Sequence, residues 1–308
     1  MTSIQAHLAV WIVKWRIRRR LKGVRDPLRA RQILRPDVPY KVPSAIRITP
    51  GEVGGIRGEW VESQQPGDAI LLYLHGGGYF GCSAETHRPI TVAFALQGFR
   101  VLAPDYRLAP ENPFPAAVDD ATAAYRGLIA AGHSPRHIVV AGDSAGGGLS
   151  LSLMLALRAA AVPLPAAVAL FSPWTDLAAT GESIRGNAGR CAMFSGPDIA
   201  PTARFYLGKA DPRNPLASPL YADFAGLPPL LIHVGADEVL LDDSTRLADR
   251  ARAAGVSVMM KIWPVVPHAW QLAAPLVPEA RQSLQEAGEF LRSHLRAAEP
   301  AAKKVGHA

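Results

Sequence analysis

Hydrophobic residues in this chain fall into short, nearly continuous runs divided by longer stretches of helical spacing. Runs at 69–74, 99–103, 137–141, 166–171, 230–234 and 257–262 predict buried strands. Helical spacing predicts helices near 84–97, 115–131, 145–160, 244–254 and 279–296. Before them, 45–49 and 57–62 alternate around a Gly-rich turn and predict antiparallel edge strands. Unbroken apolar strands alternating with helices predict a mostly parallel α/β sheet covered by helices on both faces. Two stretches depart from the alternation. Residues 172–228 are rich in Gly, Pro, Asn and Asp but hold Trp174, Phe194, Phe205, Tyr206, Tyr221 and Phe224. A structureless loop of that length is improbable in a compact domain, so short helices capping the strand ends are expected there. Residues 4–21 place Ile4, Leu8, Trp11, Ile12 and Trp15 at helical spacing, followed by Arg18-Arg19-Arg20.

Charge changes the picture only at that terminus. The 308 residues carry a net charge of +7, yet residues 1–35 hold ten Lys/Arg against Asp26 alone, and the rest carries −2. A nearly neutral body gives no reason to expect a nucleic-acid partner. Positive residues that follow the apolar ones reverse the order of a secretory signal, and no small-residue cleavage site comes after them. The helix is therefore expected either to lie on a membrane surface or to fold over the active site as part of a lid. The lid is preferred, because so short an apolar stripe is readily covered by other lid elements. Two cysteines, Cys82 and Cys191, are too few for a disulfide framework, so a reducing, cytoplasmic location is the expectation.

The candidate chemistry sits at the strand ends. A β-branched strand runs into Gly142-Asp143-Ser144-Ala145-Gly146 and then a small-residue helix, the strand–turn–helix context of a nucleophile elbow. Glycines at 142 and 146 relieve the crowding of so sharp a turn. Ser144 needs a base, and His268, between the last strand and the last helix, lies at the same sheet edge. His233 lies within an apolar strand and is expected to be a core residue. The orienting acid should follow the strand at 230–234, and Asp237 is the first carboxylate there. Glu238, Asp242 and Asp243 are then expected to cap the next helix or pair with Arg246. An oxyanion hole is expected from the backbone N–H groups of Gly76, Gly77 and Ala145, with His75 shaping the loop. Tyr79, Phe80, Trp174, Phe194, Phe205, Tyr206 and Trp270 are candidate pocket walls.

His75-Gly76-Gly77-Gly78, Asp105 to Glu111, Gly142 to Gly147, Asp237 to Leu240 and His268 occur in that order, and together they resemble the hormone-sensitive-lipase family of carboxylesterases. The resemblance spans about residues 45–296. It implies an α/β-hydrolase fold with a helical cap, and Ser144, Asp237 and His268 as a triad. It also implies Gly76, Gly77 and Ala145 as oxyanion donors, and a structural role for the Tyr106–Glu111 block. The implied activity is hydrolysis of short- to medium-chain esters through an acyl-enzyme, without metal or cofactor. The expected organisation is a basic segment at 1–44 forming part of the cap, a hydrolase domain at 45–296 with a cap insertion at about 178–226, and a frayed tail at 297–308. Expected partners are a small-molecule ester substrate and no nucleic acid. A homodimer is compatible with the chain, and membrane contact is the less favoured reading of the N-terminal helix. Lactonase, amidase or deacetylase action on the same triad is the nearest alternative, and a non-catalytic receptor a remote one. Serine at the elbow excludes the dehalogenase and epoxide-hydrolase variants, which need Asp there.

Overall fold

In a computed structural model the described residues are 2–36 and 38–295, so the tail expected at 297–308, with His307, lies outside them. Eight strands form one sheet in the order β1-β2-β4-β3-β5-β6-β7-β8. β1 (Ile46–Val53) and β2 (Ile56–Ser63) form a hairpin, and β2 also runs antiparallel to β4 (Arg100–Pro104). Their two-residue loop, Gly54-Gly55, has φ of +63° and +79°, the left-handed pair that suits the twist of a tight hairpin. From β4 onward the pairing is parallel: β3 (Ile70–Leu74), β5 (Ile138–Asp143), β6 (Val168–Phe171), β7 (Leu230–Gly235) and β8 (Val258–Trp263).

Alternation along the buried strands sends side chains to two separate cores. Ile70, Leu72, Val140, Leu170 and Ile232 pack with one set of helices. That set comprises α5 (Ala116–Ala130), α6 (Ser144–Ala159) and α9 (Leu241–Ala253). Leu71, Tyr73, Val139, Phe171 and Leu231 pack on the other face with α4 (Arg88–Leu96) and α10 (Pro278–His294). One expectation needs correcting: β8 is not a buried strand. It is the sheet's last strand, and it leaves Met259 and Ile262 exposed.

The N-terminal segment crosses the carboxyl edge of the sheet. It comprises α1 (Ile4–Val13), a π-helical turn (Lys14–Arg18), α2 (Arg19–Leu21) and α3 (Pro27–Leu34). Ser3 caps α1 by accepting from Ala6 N, and its hydroxyl donates to Glu279 at 2.7 Å. The long insertion carries α7 (Ser183–Gly186) and α8 (Ile199–Leu207). The two pieces are joined to each other: Arg18 donates to the carbonyls of Ala188 and Cys191, and Arg25 pairs with Asp198 at 2.8 Å. The apolar stripe of α1 is not covered, contrary to expectation. Ile4, Leu8, Trp11, Ile12 and Trp15 all face solvent.

Two buried histidines tie this core to pH. His233 sits within β7, its Nδ1 2.9 Å from Ser283 Oγ, and burial pushes its pKa down to about 4. Burial, with His87 nearby, pushes His75 down to about 3. Both stay neutral in the folded protein but take up protons in the unfolded chain below about pH 6.5. The unfolded state then binds more protons, so stability falls as pH drops from about 6.5 towards about 4. The thermal midpoint should decline across that window, and His233→Asn should show a shallower decline. A midpoint that ignores pH there would contradict this reading.

Candidate active site

Ser144 stands between β5 and α6 with a φ of +52°, a left-handed conformation that is strained for a residue with a Cβ. The flanking glycines carry the turn. A Cβ at Gly146 would run into the carbonyls of Leu74 and His75, and one at Gly142 into the backbone of Gly146. Ala145 follows in the first turn of α6, where a backbone N–H has no intrahelical acceptor.

His268 lies in the loop after β8. Its Nδ1 is 2.5 Å from Glu238 Oε2, and both residues are buried. A carboxylate only accepts, so Nδ1 carries the proton and the lone pair is left on Nε2. That Nε2 is buried with no hydrogen-bond partner among the described residues, and His268 and Ser144 line the same cavity. The other oxygen of Glu238 accepts from Ser172 Oγ at 2.6 Å and from Gly235 N at 2.7 Å, which fixes the carboxylate.

The carboxylate that meets His268 is therefore that of Glu238, and not that of Asp237 as expected. Just past β7 the chain makes a tight turn in which Glu238 N donates to Gly235 O. That turn folds position 238 back under the strand end, while Asp237 faces outward and pairs with Arg190 at 3.0 Å. Neither Asp242 nor Asp243 is the ion-pair partner of Arg246, which pairs with Asp176. Asp242 accepts from Ser183 N, and buried Asp243 from the amides of Thr175 and Asp176.

The glycine loop also differs from expectation at one residue. Gly76 donates its N–H to Asp143 Oδ1 at 2.9 Å, is buried, and does not line the cavity. Gly77 and Gly78 do line it, with φ of +113° and +64°. Neither of their N–H groups has a backbone or side-chain acceptor among the described residues. The loop glycines at the cavity are thus Gly77 and Gly78, while Gly76 is not.

Asp143 is what pins Gly76. Burial alone would raise its carboxyl, but His87 and the Tyr73 hydroxyl, 2.7 Å away, bring it down to about 2. From the other side, Tyr106 donates to His75 O at 2.6 Å, and its ring stacks on the His75 imidazole at 4.3 Å. His75 Nδ1 lies 2.7 Å from Gly76 O, so this histidine shapes the loop. His87, whose Nε2 is 3.3 Å from Asp143 Oδ1, is a part of the site that the sequence did not single out.

The cavity is about 150 Å³ and mainly apolar. Of the seven candidate wall residues, Phe80, Trp174, Phe194 and Phe205 line it. Phe194 presents its edge to His268 at 4.9 Å. Tyr79, Tyr206 and Trp270 do not line it. The two tyrosines stack on each other at 3.8 Å within the core, and Trp270 packs against Trp263 on the opposite side of the sheet. Ile17, Leu21 and Val24 complete the wall from the N-terminal segment.

Comparison with known proteins agrees with this architecture. A family model described as the alpha/beta hydrolase fold matches residues 71–272. An acetyl-hydrolase of Streptomyces hygroscopicus is 45% identical over 250 residues, covering 80% of this chain and 84% of that protein. An esterase of Acinetobacter venetianus is 36% identical over 250 residues, covering 80% and 82%. Among solved structures, the esterase EstE5 superposes with a TM-score of 0.91 at 38% identity, covering 96% of this chain and all of that one. An esterase from the bacterial hormone-sensitive lipase family superposes at 0.87 with 41% identity, again over 96% of this chain and all of that one.

Proposed function

We propose, from the premise that this chain belongs to the bacterial hormone-sensitive-lipase family of α/β-hydrolases and is a serine carboxylesterase, that Ser144, His268 and Glu238 carry its chemistry. One observation carries the assignment of roles. The bond from His268 Nδ1 to a buried, doubly anchored Glu238 leaves a bare Nε2 in the cavity that Ser144 shares.

His268 Nε2 takes the proton of Ser144 Oγ as the oxygen attacks the ester carbonyl, and Glu238 stabilises the imidazolium that forms. Charge developing on the carbonyl oxygen meets the N–H groups of Gly77, Gly78 and Ala145. The His268 proton then passes to the departing alcohol. Water, activated by the same nitrogen, releases the acid from the acyl-enzyme.

The small apolar cavity supports a short acyl group, and medium chains mark its upper reach. The N-terminal segment and residues 178–226 serve together as the cap, since both supply wall residues and bond to each other. Hydrolysis of p-nitrophenyl esters from acetyl to palmitoyl tests the proposal. Turnover should be highest for short acyl groups and fall steeply beyond medium chains. Equal turnover of butyrate and palmitate would overturn the acyl-pocket reading. Failure of a folded protein to cleave any ester would turn attention to a lactone, amide or acetylated metabolite.

A further inference from the structure

The N-terminal helix is fixed to the protein with its apolar side turned outward. Ala6 is fully buried, Ser3 bonds to Glu279, and Arg18 is tied to the carbonyls of Ala188 and Cys191. On the opposite side Ile4, Leu8, Trp11 and Trp15 are 84%, 53%, 61% and 57% exposed, with Ile12 between them. A contiguous exposed patch of this kind marks a surface that another body covers. The indoles of Trp11 and Trp15 stack at 6.2 Å, and the Arg19 guanidinium lies 5.6 Å over Trp15.

Around this stripe the charge is mainly positive. Lys14, Arg16, Arg19, Arg20, Lys22 and Arg29 are exposed, and none is within ion-pair distance of a carboxylate among the described residues. Two shallow grooves adjoin, one holding both indoles and the other walled by Arg19, Arg20, Lys22, Arg29 and the Asp198-paired Arg25, with Asp26 as the one carboxylate on its wall. Arg19 and Lys22 belong to both. An aromatic and aliphatic ridge beside a row of unpaired cations is the combination that seats a helix in the headgroup region of an anionic bilayer.

Charge decides between occupants. A second copy brought face to face on this stripe would set two segments of +9 against each other, a repulsive arrangement. A nucleic-acid backbone would meet the cations but leave Ile4, Leu8 and Ile12 without a partner. An anionic lipid surface satisfies both halves of the patch.

We propose that α1 and the basic turn after it dock the protein, side-on, against an anionic phospholipid surface. The same segment supplies Ile17, Leu21 and Val24 to the cavity wall, so docking brings the cavity rim towards the lipid. Only that consequence rests on the esterase reading; the docking is measured without turnover.

The test is co-sedimentation with vesicles of equimolar phosphatidylglycerol and phosphatidylcholine, with pure phosphatidylcholine alongside and salt varied. Binding to the anionic vesicles, weakened by salt, with a blue shift of tryptophan emission, is the expected result. The paired variants W11S/W15S and R19E/R20E should each bind roughly tenfold or more weakly. Both should keep the wild-type rate on dissolved p-nitrophenyl butyrate, which shows that the fold and catalytic site are intact. No binding to the anionic vesicles would overturn the proposal, as would binding undiminished in either variant. A wild-type dimer that W11S/W15S abolishes, with no vesicle binding, would also overturn it and assign the stripe to a second copy.

Discussion

Ser144→Ala is expected to lower kcat on p-nitrophenyl butyrate by about 10⁶-fold, the scale on which removal of an activated serine acts. Ser144 is nearly enclosed, and Oγ is the one nucleophilic atom it offers to the cavity that holds the bare Nε2 of His268. Alanine retains the Cβ and so inherits the same strained φ of +52°, neither relieving nor adding to it. Gly77, Gly78 and Ala145 keep their places, so a residual acceleration of about 10³–10⁴ over water should survive in the variant. The unfolding midpoint should match that of the wild type. A variant that kept a tenth of the wild-type rate would remove Ser144 from the chemistry.

Glu238→Gln should cost about 10⁴-fold in kcat, the penalty of holding the imidazole in the wrong tautomer. The anchoring bonds explain why so conservative a change is so costly. Ser172 Oγ and Gly235 N both donate to one oxygen of residue 238, so in the glutamine variant the carbonyl oxygen stays there. The amide NH₂ is then turned on His268 Nδ1, which can only accept, and the proton moves to Nε2, where the lone pair is needed. Asp237→Asn removes only a surface pair with Arg190, both partners about half exposed. Such pairs contribute about 0–1 kcal/mol, and kcat should stay within about twofold of wild type. Reversed effects, with Asp237→Asn inactive and Glu238→Gln active, would restore the order of roles that sequence position alone suggests.

That reversal of neighbours shows where sequence reading ends. Strand runs, the elbow at Ser144 and the placement of His268 were legible because each depends on local composition or on which edge of the sheet a loop leaves. Choosing between Asp237 and Glu238 depends on a turn of one residue's rotation, closed by Glu238 N to Gly235 O. A carboxylate three residues past the strand's last glycine was the available signal. Gly76 misled for a related reason. Its amide is consumed by Asp143, a buried charge whose partners Tyr73 and His87 come from elsewhere in the chain. Tyr79, Tyr206 and Trp270 were plausible walls by residue type, yet facing a cavity or a core is a matter of packing that type does not encode. The N-terminal stripe was visible as a pattern, while its outward orientation was set by contacts as remote as Ser3 to Glu279.

The central claim is that Ser144 is the residue acylated by substrate. Its most direct test is treatment with diethyl p-nitrophenyl phosphate, followed by peptide mass spectrometry and residual activity in the same samples. The account predicts one diethylphosphoryl adduct per chain, on Ser144, rising in step with loss of esterase activity and much more slowly in Glu238→Gln. Inactivation with Ser144 unmodified, or full modification of Ser144 with activity retained, would contradict it.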